Sequence, residues 1–271
     1  MAEGICKNTL EGMLHKMIIY SYQSENLVDK IKADGIATVE FTETNLYRHT
    51  QNGRNGQLFE AYMWMARKLS QKTGVWLKGV YGEGLETPTD DDGDYIDEKG
   101  RKLPILPFWG WYLTGGKNRK PDPKRYCFDT VGESGLGWNL NHSRTLLLTL
   151  EIPEKNVLLS DANAWYCALE GRPCYDYEDE TTEQKKIRRF KRMSSAYMKM
   201  PEGQAKTAAA QDLLNECVGS WDNILRLEGR RLREYMGVKE RYDIQAVFPV
   251  ILQKWVVNIE EVHLPKNKKK I

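Results

Sequence analysis

Apolar residues near the start of the chain change from a β-type to a helical pattern. The run Met17–Tyr22 (MIIYSY) is rich in β-forming residues and predicts a strand. Ser24 is expected to cap a following helix, whose apolar face carries Leu27 and Ile31 at helical spacing. Gly35 is expected to end that helix, because glycine adopts the left-handed backbone of a helix end without strain.

The middle of the chain predicts one helix and three strands. Residues 57–72 repeat apolar positions at helical spacing as far as Gly74. The apolar runs Pro107–Thr114 (PFWGWYLT) and Thr145–Ile152 (TLLLTLEI) predict strands, and Val157–Leu159 predicts a short return strand. The aromatic strand is typical of a buried core, and a role for its rings in a binding cleft stays open.

Helical patterns follow these strands. Ser160 or Asp161 is expected to cap a short helix closed by Gly171, and Asp161 reads as a cap rather than a catalytic acid. Thr181 with Gln184 predicts a capping box at the start of a charged helix.

A second helical stretch, Ala205–Tyr235, precedes two terminal β-rich runs, Ile244–Leu252 and Trp255–Ile259. Strands early and late, with helices between them, predict a mixed α+β fold.

The pattern predicts one α+β domain over residues 17–262. A charged helical insertion at 176–240 interrupts it before the last strands. Residues 1–16 are expected to be an N-terminal extension, and residues 263–271 a basic tail.

Composition narrows the functional class. The chain has 271 residues, 41% of them hydrophobic, with a net charge of +2, which is typical of a globular protein. Its apolar runs are far shorter than the roughly 20 residues needed to span a bilayer. The start, Met1–Cys6, lacks the features of a secretory signal. We therefore expect a cytoplasmic protein that makes no membrane contact.

Familiar metal and phosphate motifs are absent from the sequence. The segment Gly110–Asn118 resembles a phosphate-binding loop, but its lysine is one place late and Asn118 replaces the hydroxyl residue. The acidic run Asp90–Asp94 has Pro88 where a calcium loop needs its first ligand. The five cysteines form no CxxC pair and the four histidines show no ligand spacing. No metal is expected.

A dense basic cluster marks the first insertion helix, and two interpretations of it stay open. The first is a solvated helix face whose charge is offset by the acidic residues just before it. The second is a contact surface for nucleic acid or an acidic partner. The cluster contains Lys185, Lys186, Arg188, Arg189 and Arg192.

Several short blocks together resemble a bacterial and phage domain family of unknown function. Its members share a first strand ending in a motif such as IQS, a WAWY-like strand and an EIP…VLLSD…W segment. The matching blocks here are Ile19–Ser24, Pro107–Tyr112 with Lys120–Asp122, Leu147–Pro153 with Val157–Asp161 and Trp165, and Ile244–Phe248 with Trp255. The resemblance spans residues 17–262.

The order of elements is also similar to that of the ADP-ribosyltransferase superfamily. This resemblance implies a split β-sheet core, NAD as the substrate and no metal. It implies transfer of ADP-ribose to a macromolecular acceptor, either protein or nucleic acid, as in toxins and factors of phage–host conflict. In that family a first strand carries an Arg or His that holds NAD, and a late strand supplies the catalytic acid.

Carried onto this chain, the resemblance assigns a role to each of six residues. Tyr22 or Gln23 takes the first-strand position in place of Arg or His, and Gln245 takes the position of the acid. A glutamine can hold a ribose hydroxyl but carries no charge to stabilise an oxocarbenium-like transition state. The implied catalytic residues are Gln245 and Tyr22, and the implied cofactor-binding residues are Gln23, Trp109, Trp111 and Tyr112.

Two other hypotheses stay open. One is a non-catalytic module of the same fold whose basic helix, residues 185–192, contacts nucleic acid or an acidic protein. The other is an enzyme of a different kind, for which Glu151, Asp161 and Glu170 are acids near a strand–helix junction. The ADP-ribosyltransferase hypothesis requires the early and late strands to lie side by side, with Tyr22, Trp111 and Gln245 at one notch.

Overall fold

The fold is mixed α+β, as predicted, and is built on an antiparallel sheet of six strands with helices on both faces. It is seen in a computed structural model. The described residues are 15–39, 56–74, 106–126, 144–174, 180–227 and 243–262. The predicted extension up to residue 14, the acidic run Asp90–Asp94 and the basic tail 263–271 lie outside these ranges.

The elements follow the chain in an order close to the prediction. The strands are β1 (Lys16–Ser24), β2 (Ile36–Ala37), β3 (Phe108–Leu113), β4 (Thr145–Pro153), β5 (Leu158–Asp161), β6 (Ile244–Phe248), β7 (Ile251–Leu252) and β8 (Val256–Glu261). The α-helices are α1 (Glu25–Asp34), α2 (Gly56–Thr73), α3 (Ala162–Leu169), α4 (Glu180–Lys199) and α5 (Gln204–Val218). Short 3₁₀ turns occupy Glu154–Asn156, Trp221–Leu225 and Gln253–Trp255.

The main sheet has the strand order β5-β6-β3-β1-β4-β8, and β2 pairs with β7 in a separate two-stranded sheet. The early strand β1 and the late strand β6 both pair with β3. Tyr20 lies opposite Trp111, and Trp111 lies opposite Gln245. The expectation that the early and late strands lie side by side is therefore wrong, because β3 lies between β1 and β6.

Side chains alternate between two faces of this sheet, and each face has its own core. On the face called here the α1 face, Ile19, Leu148 and Phe248 pack with Val28 of α1. The opposite face, called the α3 face, presents a second set of residues to α2 and α3. That set includes Trp109 and Val247, which pack with Trp165 and Met65.

Gly110 allows the central strands to pack closely at the α1 face. A Cβ atom at this position would lie 2.5 Å from Cγ2 of Ile19 and 3.0 Å from the backbone oxygen of Tyr20. A carbon atom cannot lie so close to another carbon or to an oxygen unless β1 or β3 shifts. The glycine in the aromatic strand is therefore a packing requirement of the sheet centre.

The predicted capping residues of two helices are confirmed. The Ser24 hydroxyl accepts a hydrogen bond from the Leu27 backbone N–H at 3.3 Å, and Gly35 ends α1 with a φ of 74°. The Asp161 carboxylate accepts from the backbone N–H groups of Asn163 and Ala164 at 2.8 and 3.0 Å. These bonds satisfy donors that a helix start leaves unpaired.

Two predicted boundaries in the helical insertion are wrong. Helix α4 begins at Glu180, so Thr181 lies inside its first turn and is not the capping residue. The helix predicted over Ala205–Tyr235 ends at Val218 and is followed by the 3₁₀ turn. Gly219 stands at this end, where glycine weakens helical continuation.

The two terminal β-rich runs form strands whose bounds differ from the predicted ones. The run predicted as one strand over Ile244–Leu252 forms β6 and β7, with Pro249 between them. Proline has no N–H to donate to a strand partner, so it interrupts the run. Among the helices that the structure describes, none combines the length and apolar character needed to cross a membrane.

Candidate functional site

A row of four side chains crosses the main sheet on the α3 face. Tyr20 on β1 lies opposite Trp111 on β3, and Trp111 lies opposite Gln245 on β6. Gln245 in turn lies opposite Ser160 on β5. Directly opposed residues of antiparallel strands project to the same face, so an aromatic pair continues into a polar pair across neighbouring strands.

The polar end of this row contains two buried atoms without a hydrogen-bond partner. Gln245 is 5% exposed and Ser160 is fully buried. Neither Oε1 of Gln245 nor Oγ of Ser160 has a hydrogen-bond partner within the part of the chain that the structure describes. A buried polar group left unpaired costs about 1–3 kcal/mol, and such groups are uncommon in native proteins. The two atoms are therefore a place where an added hydrogen-bonding group would stabilise the protein.

Asp243, immediately before β6, joins three segments at one carboxylate. Its Oδ1 accepts from the Gly115 backbone N–H at 2.6 Å and from the Tyr126 hydroxyl at 3.0 Å. The Arg125 guanidinium lies 3.5 Å from Oδ2, and the Asp243 backbone oxygen accepts from the Ala162 N–H at 3.1 Å. Sequence analysis did not select this residue, although an acid directly before a buried strand is a visible signal.

The phenol of Tyr126 is held in its neutral form. Burial raises the pKa of Tyr126 to about 12, and the charge of Asp243 and the hydrogen bond to it act in the same direction. The cations of Arg125 and Arg119 lower this pKa by smaller amounts. Tyr126 therefore donates its proton to the carboxylate throughout the physiological pH range.

Aromatic packing covers Trp111. The rings of Trp111 and Tyr126 meet edge to face with their centroids 4.8 Å apart. The Tyr22 hydroxyl donates to the backbone oxygen of Pro121 at 2.8 Å, and Tyr22 belongs to the same buried cluster with Leu147. The expected notch beside Trp111 is filled by these side chains.

The structure divides the six residues implied by the resemblance between the two faces of the sheet. Strand alternation and the packing clusters put Gln23 and Tyr112 on the α1 face, away from the other four. Gln23 donates through Nε2 to the Ser21 hydroxyl at 2.8 Å, which donates to the Trp109 backbone oxygen at 2.7 Å. The α3 face carries Tyr22, Trp109, Trp111 and Gln245.

Trp109 is separated from the other aromatic candidates by its own packing. Its ring stacks on Trp165 of α3 with centroids 4.7 Å apart and an interplanar angle of 22°. The Tyr62 ring meets both tryptophans edge to face. Trp109 is thus a contact between the sheet and its covering helices, whereas Trp111 adjoins Gln245.

A basic loop follows β3 and lies beside the Asp243 carboxylate. The turn between Thr114 and Lys117 contains two consecutive glycines with positive φ, 60° and 74°. Lys117, Arg119 and Lys124 are exposed on this loop, while Lys120 pairs with Glu260 at 2.5 Å. Among the ion pairs of the described residues, none involves Lys117, Arg119 or Lys124, so the loop presents positive charge next to a buried acid.

The other acids near the strand–helix junction are engaged separately. Glu151 pairs with Lys16 at 3.2 Å on the surface, Asp161 caps α3 and Glu170 pairs with Arg172. No grouping of three His, Cys, Asp or Glu side chains suited to a metal ion is found within the described ranges.

Three free cysteines lie buried behind α3. The Cys174 thiol donates to the Ala164 backbone oxygen at 3.0 Å, and Cys217 contacts the Gly171 backbone oxygen at 3.4 Å. The interaction between the Cys167 and Cys174 side chains lowers the pKa of Cys167 and raises that of Cys174, and burial raises the Cys174 pKa further. All three are packed in the core of the α3 face.

The candidate site therefore consists of the Gln245–Ser160 pair, the Asp243–Tyr126 contact, Trp111 and the basic loop. It is assembled by β3, β5 and β6 and by the segment after β3. Comparisons with protein-family models, with curated proteins and with solved structures find no match for this chain.

Proposed function

We propose that this protein is an NAD-utilising enzyme of the ADP-ribosyltransferase type that modifies a macromolecular acceptor. The observation that carries the proposal is the pair of buried oxygens of Gln245 and Ser160, which have no hydrogen-bond partner among the described residues; Gln245 follows Asp243 by two residues. The oxygens of Gln245 and Ser160 can form hydrogen bonds with a ribose. The Asp243 carboxylate supplies a negative charge at the start of a late strand, which is where the ADP-ribosyltransferase resemblance expects the catalytic acid.

Transfer of ADP-ribose needs both the hydrogen-bonding oxygens and the negative charge. The bond between ribose C1′ and the nicotinamide nitrogen breaks, and its electron pair neutralises the positive nicotinamide ring. C1′ then bonds to a nucleophile of the acceptor, whose proton passes to a base. Gln245 Oε1 and Ser160 Oγ are suited to hold ribose hydroxyls, and Asp243 supplies the charge that favours the oxocarbenium-like transition state.

The pyrophosphate of NAD would face the loop after β3. Lys117 and Arg119 are exposed there, and Arg125 is partly exposed. A guanidinium binds phosphate oxygens through two parallel N–H groups, so arginines suit this role. The acidic part of the site, at Asp243, thus matches the ribose that bears the positive nicotinamide ring. The basic loop after β3 matches the negatively charged pyrophosphate.

Binding of NAD would require the loop to open. The Tyr126 ring contacts Trp111, and its hydroxyl occupies Asp243. Separation of the segment Pro121–Tyr126 from Trp111 would free the Asp243 carboxylate and uncover the ring of Trp111, which lies opposite Gln245 on the sheet. NAD would then replace the lost contacts with its ribose hydroxyls and its phosphates, so this opening is part of the proposal.

The order and pairing of the strands and helices support the proposal of an ADP-ribosyltransferase-like fold. Strand β1 leads through the Ser24 cap into α1, and α1 ends in the left-handed turn at Gly35. The division into a six-stranded and a two-stranded sheet fits a split β-sheet core. This order corresponds to the first strand, helix and turn of the ADP-ribosyltransferase resemblance.

The direct test is release of nicotinamide and transfer of label from adenylate-labelled NAD to macromolecules of a cell lysate. Wild-type protein is expected to do both. Gln245→Leu, which keeps the side-chain volume and removes the amide, is expected to lower the rate at least about tenfold, a loss of roughly 1.4 kcal/mol in transition-state stabilisation.

Asn258→Leu is the matched control, because it removes an exposed amide from edge strand β8 of the same sheet. Its rate is expected to equal that of the wild type. Absence of both nicotinamide release and label transfer in the wild type would overturn the proposal. An equal loss of rate in Gln245→Leu and Asn258→Leu would show that the activity does not depend specifically on Gln245.

A further inference from the structure

Helix α4 is basic on one side and packed on the other. It contains seven basic and two acidic residues. Ile187 is buried and Phe190 packs against the core of the α3 face. The packed residues fix the orientation of the helix, and its charges therefore have a defined direction relative to the rest of the fold.

Helical geometry separates a set of cations from the packed side. At 100° per residue, Lys185, Arg188, Arg192 and Lys199 fall within one narrow sector, opposite Ile187 and Phe190. Lys191 lies about 60° outside this sector, on the side of Ile187. All five cations are exposed. Together they form the basic stripe: Lys185, Arg188, Lys191, Arg192 and Lys199.

The remaining two cations of the cluster face α5. The Arg189 guanidinium lies 3.5 Å from the Glu216 carboxylate, and Lys186 lines a cleft with Glu216 and Asn215. No ion pair within the described part of the chain engages a residue of the basic stripe. The acids just before α4 that were expected to offset the helix charge lie outside the side chains that the structure describes.

The C-terminal half of the stripe forms a shallow basin of about 450 Å³. Lys191, Arg192 and Lys199 line it together with Ser195 and Ala196. Three cations and a hydroxyl, with no acid among the described residues that line the basin, are suited to phosphate groups. The stripe continues toward the start of α4 through Arg188 and Lys185.

We propose that the basic stripe binds the phosphate backbone of a double-stranded nucleic acid without reading its sequence. The stripe presents a cation at almost every turn over about 21 Å of helix, at a rise of about 1.5 Å per residue. A duplex offers a matching linear array of charge. This inference concerns a surface separate from the NAD site, and it stands or falls independently of the proposed enzyme activity.

A regular line of phosphates fits this surface better than an acidic protein does. Protein interfaces usually contain a desolvated apolar centre. Among the described residues that line the basin, Ala196 is the one with an apolar side chain. Contacts made chiefly by exposed lysines and arginines are typical of backbone binding, which positions a nucleic acid without selecting bases.

The test is fluorescence anisotropy of a labelled duplex of about 20 base pairs, titrated with the full chain at several salt concentrations. Arg188→Ala, Arg192→Ala and Lys199→Ala are combined in one stripe variant. Lys32→Ala, Lys155→Ala and Lys254→Ala form the control, which loses the same charge from exposed positions elsewhere.

Wild type and control are expected to bind within about twofold of each other, and the stripe variant about tenfold or more weakly at low salt. The slope of log K against log salt concentration is expected to fall by about 0.9 for each phosphate contact removed. Circular dichroism checks that the stripe variant is folded, and Arg192→Gln alone gives a milder test with an expected loss of about threefold.

Three results would overturn the proposal. The first is no salt-dependent binding of the duplex by the wild type at about 50 mM salt. The second is an equal loss of affinity in the stripe and control variants. The third is competition by poly-glutamate as effective as that by unlabelled duplex, which would assign the stripe to an acidic protein.

Discussion

The Tyr126 hydroxyl donates to the Asp243 carboxylate at 3.0 Å and thereby ties the end of the loop after β3 to the start of β6. The same tyrosine covers Trp111, the neighbour of Gln245 on the sheet. One side chain therefore links three features of the candidate site: its acid, its aromatic ring and its basic loop. Changes at Tyr126 are expected to alter both stability and access.

Tyr126→Phe is expected to lower the free energy of unfolding by about 1–3 kcal/mol. The change removes the hydrogen bond to a buried carboxylate but retains the ring contact with Trp111. Asp243 keeps the Gly115 N–H and the Arg125 guanidinium as partners. Urea unfolding of the two proteins at neutral pH measures the difference, and equal stability would show that the bond contributes little.

Stability is expected to fall at alkaline pH through Tyr126. Its pKa is raised in the fold from 10.0 to about 12, so the unfolded chain loses this proton first. The stabilisation is complete below pH 10 and is lost as the pH rises through about 12. Burial also raises the pKa of Tyr62, which adds a fall in the same direction.

Urea midpoints between pH 9 and 12 measure this loss. Tyr126→Phe is expected to have a shallower decline than the wild type, and the raised pKa values of buried Tyr62 and Cys174 contribute to what remains. Parallel declines in the two proteins would contradict the assigned role of the Tyr126–Asp243 contact.

Gly110→Ala is expected to destabilise the protein by about 1–3 kcal/mol through overpacking. Its new methyl group would meet Cγ2 of Ile19 at 2.5 Å. Ile19→Ala removes that atom, so the double variant is expected to be more stable than the sum of the two single effects predicts. Chemical unfolding of all four proteins gives this coupling, and additive effects would show that the strands relax without strain.

Ser160→Ala and Ser21→Ala are expected to have different effects. The Ser160 hydroxyl is buried and has no hydrogen-bond partner among the residues that the structure describes, so its removal is expected to leave stability unchanged or to raise it. The Ser21 hydroxyl donates to the Trp109 backbone oxygen and accepts from Gln23. Its removal is expected to cost about 1–2 kcal/mol. Thermal and urea unfolding compare the two variants, and equal losses would remove the case for an open ligand position at Ser160.

Local sequence rules predicted the elements of this fold well. Helix ends depend on interactions between residues that are close in the sequence, so they can be predicted from it. Examples are the caps at Ser24 and Asp161 and the end of α1 at Gly35. The boundary at Val218 was missed because the apolar pattern continues through the 3₁₀ turn and packs Trp221 in the core. Tertiary packing, rather than local propensity, decided that boundary.

The candidate site was harder to predict. Strand alternation could have separated Gln23 from Tyr22, since adjacent strand residues project to opposite faces. The role of Asp243 depends on Tyr126, more than a hundred residues away, and no local pattern encodes that contact. The order of β6, β3 and β1 was likewise beyond local rules, because it is set by long-range pairing.

Calorimetric titration of NAD into the wild type, Gln245→Leu and Asn258→Leu is the most direct test of the proposed site. Saturable binding is predicted for the wild type and for Asn258→Leu, with at least about tenfold weaker binding to Gln245→Leu. No binding to any of the three proteins, or equal binding to all of them, would contradict a dinucleotide site at Gln245.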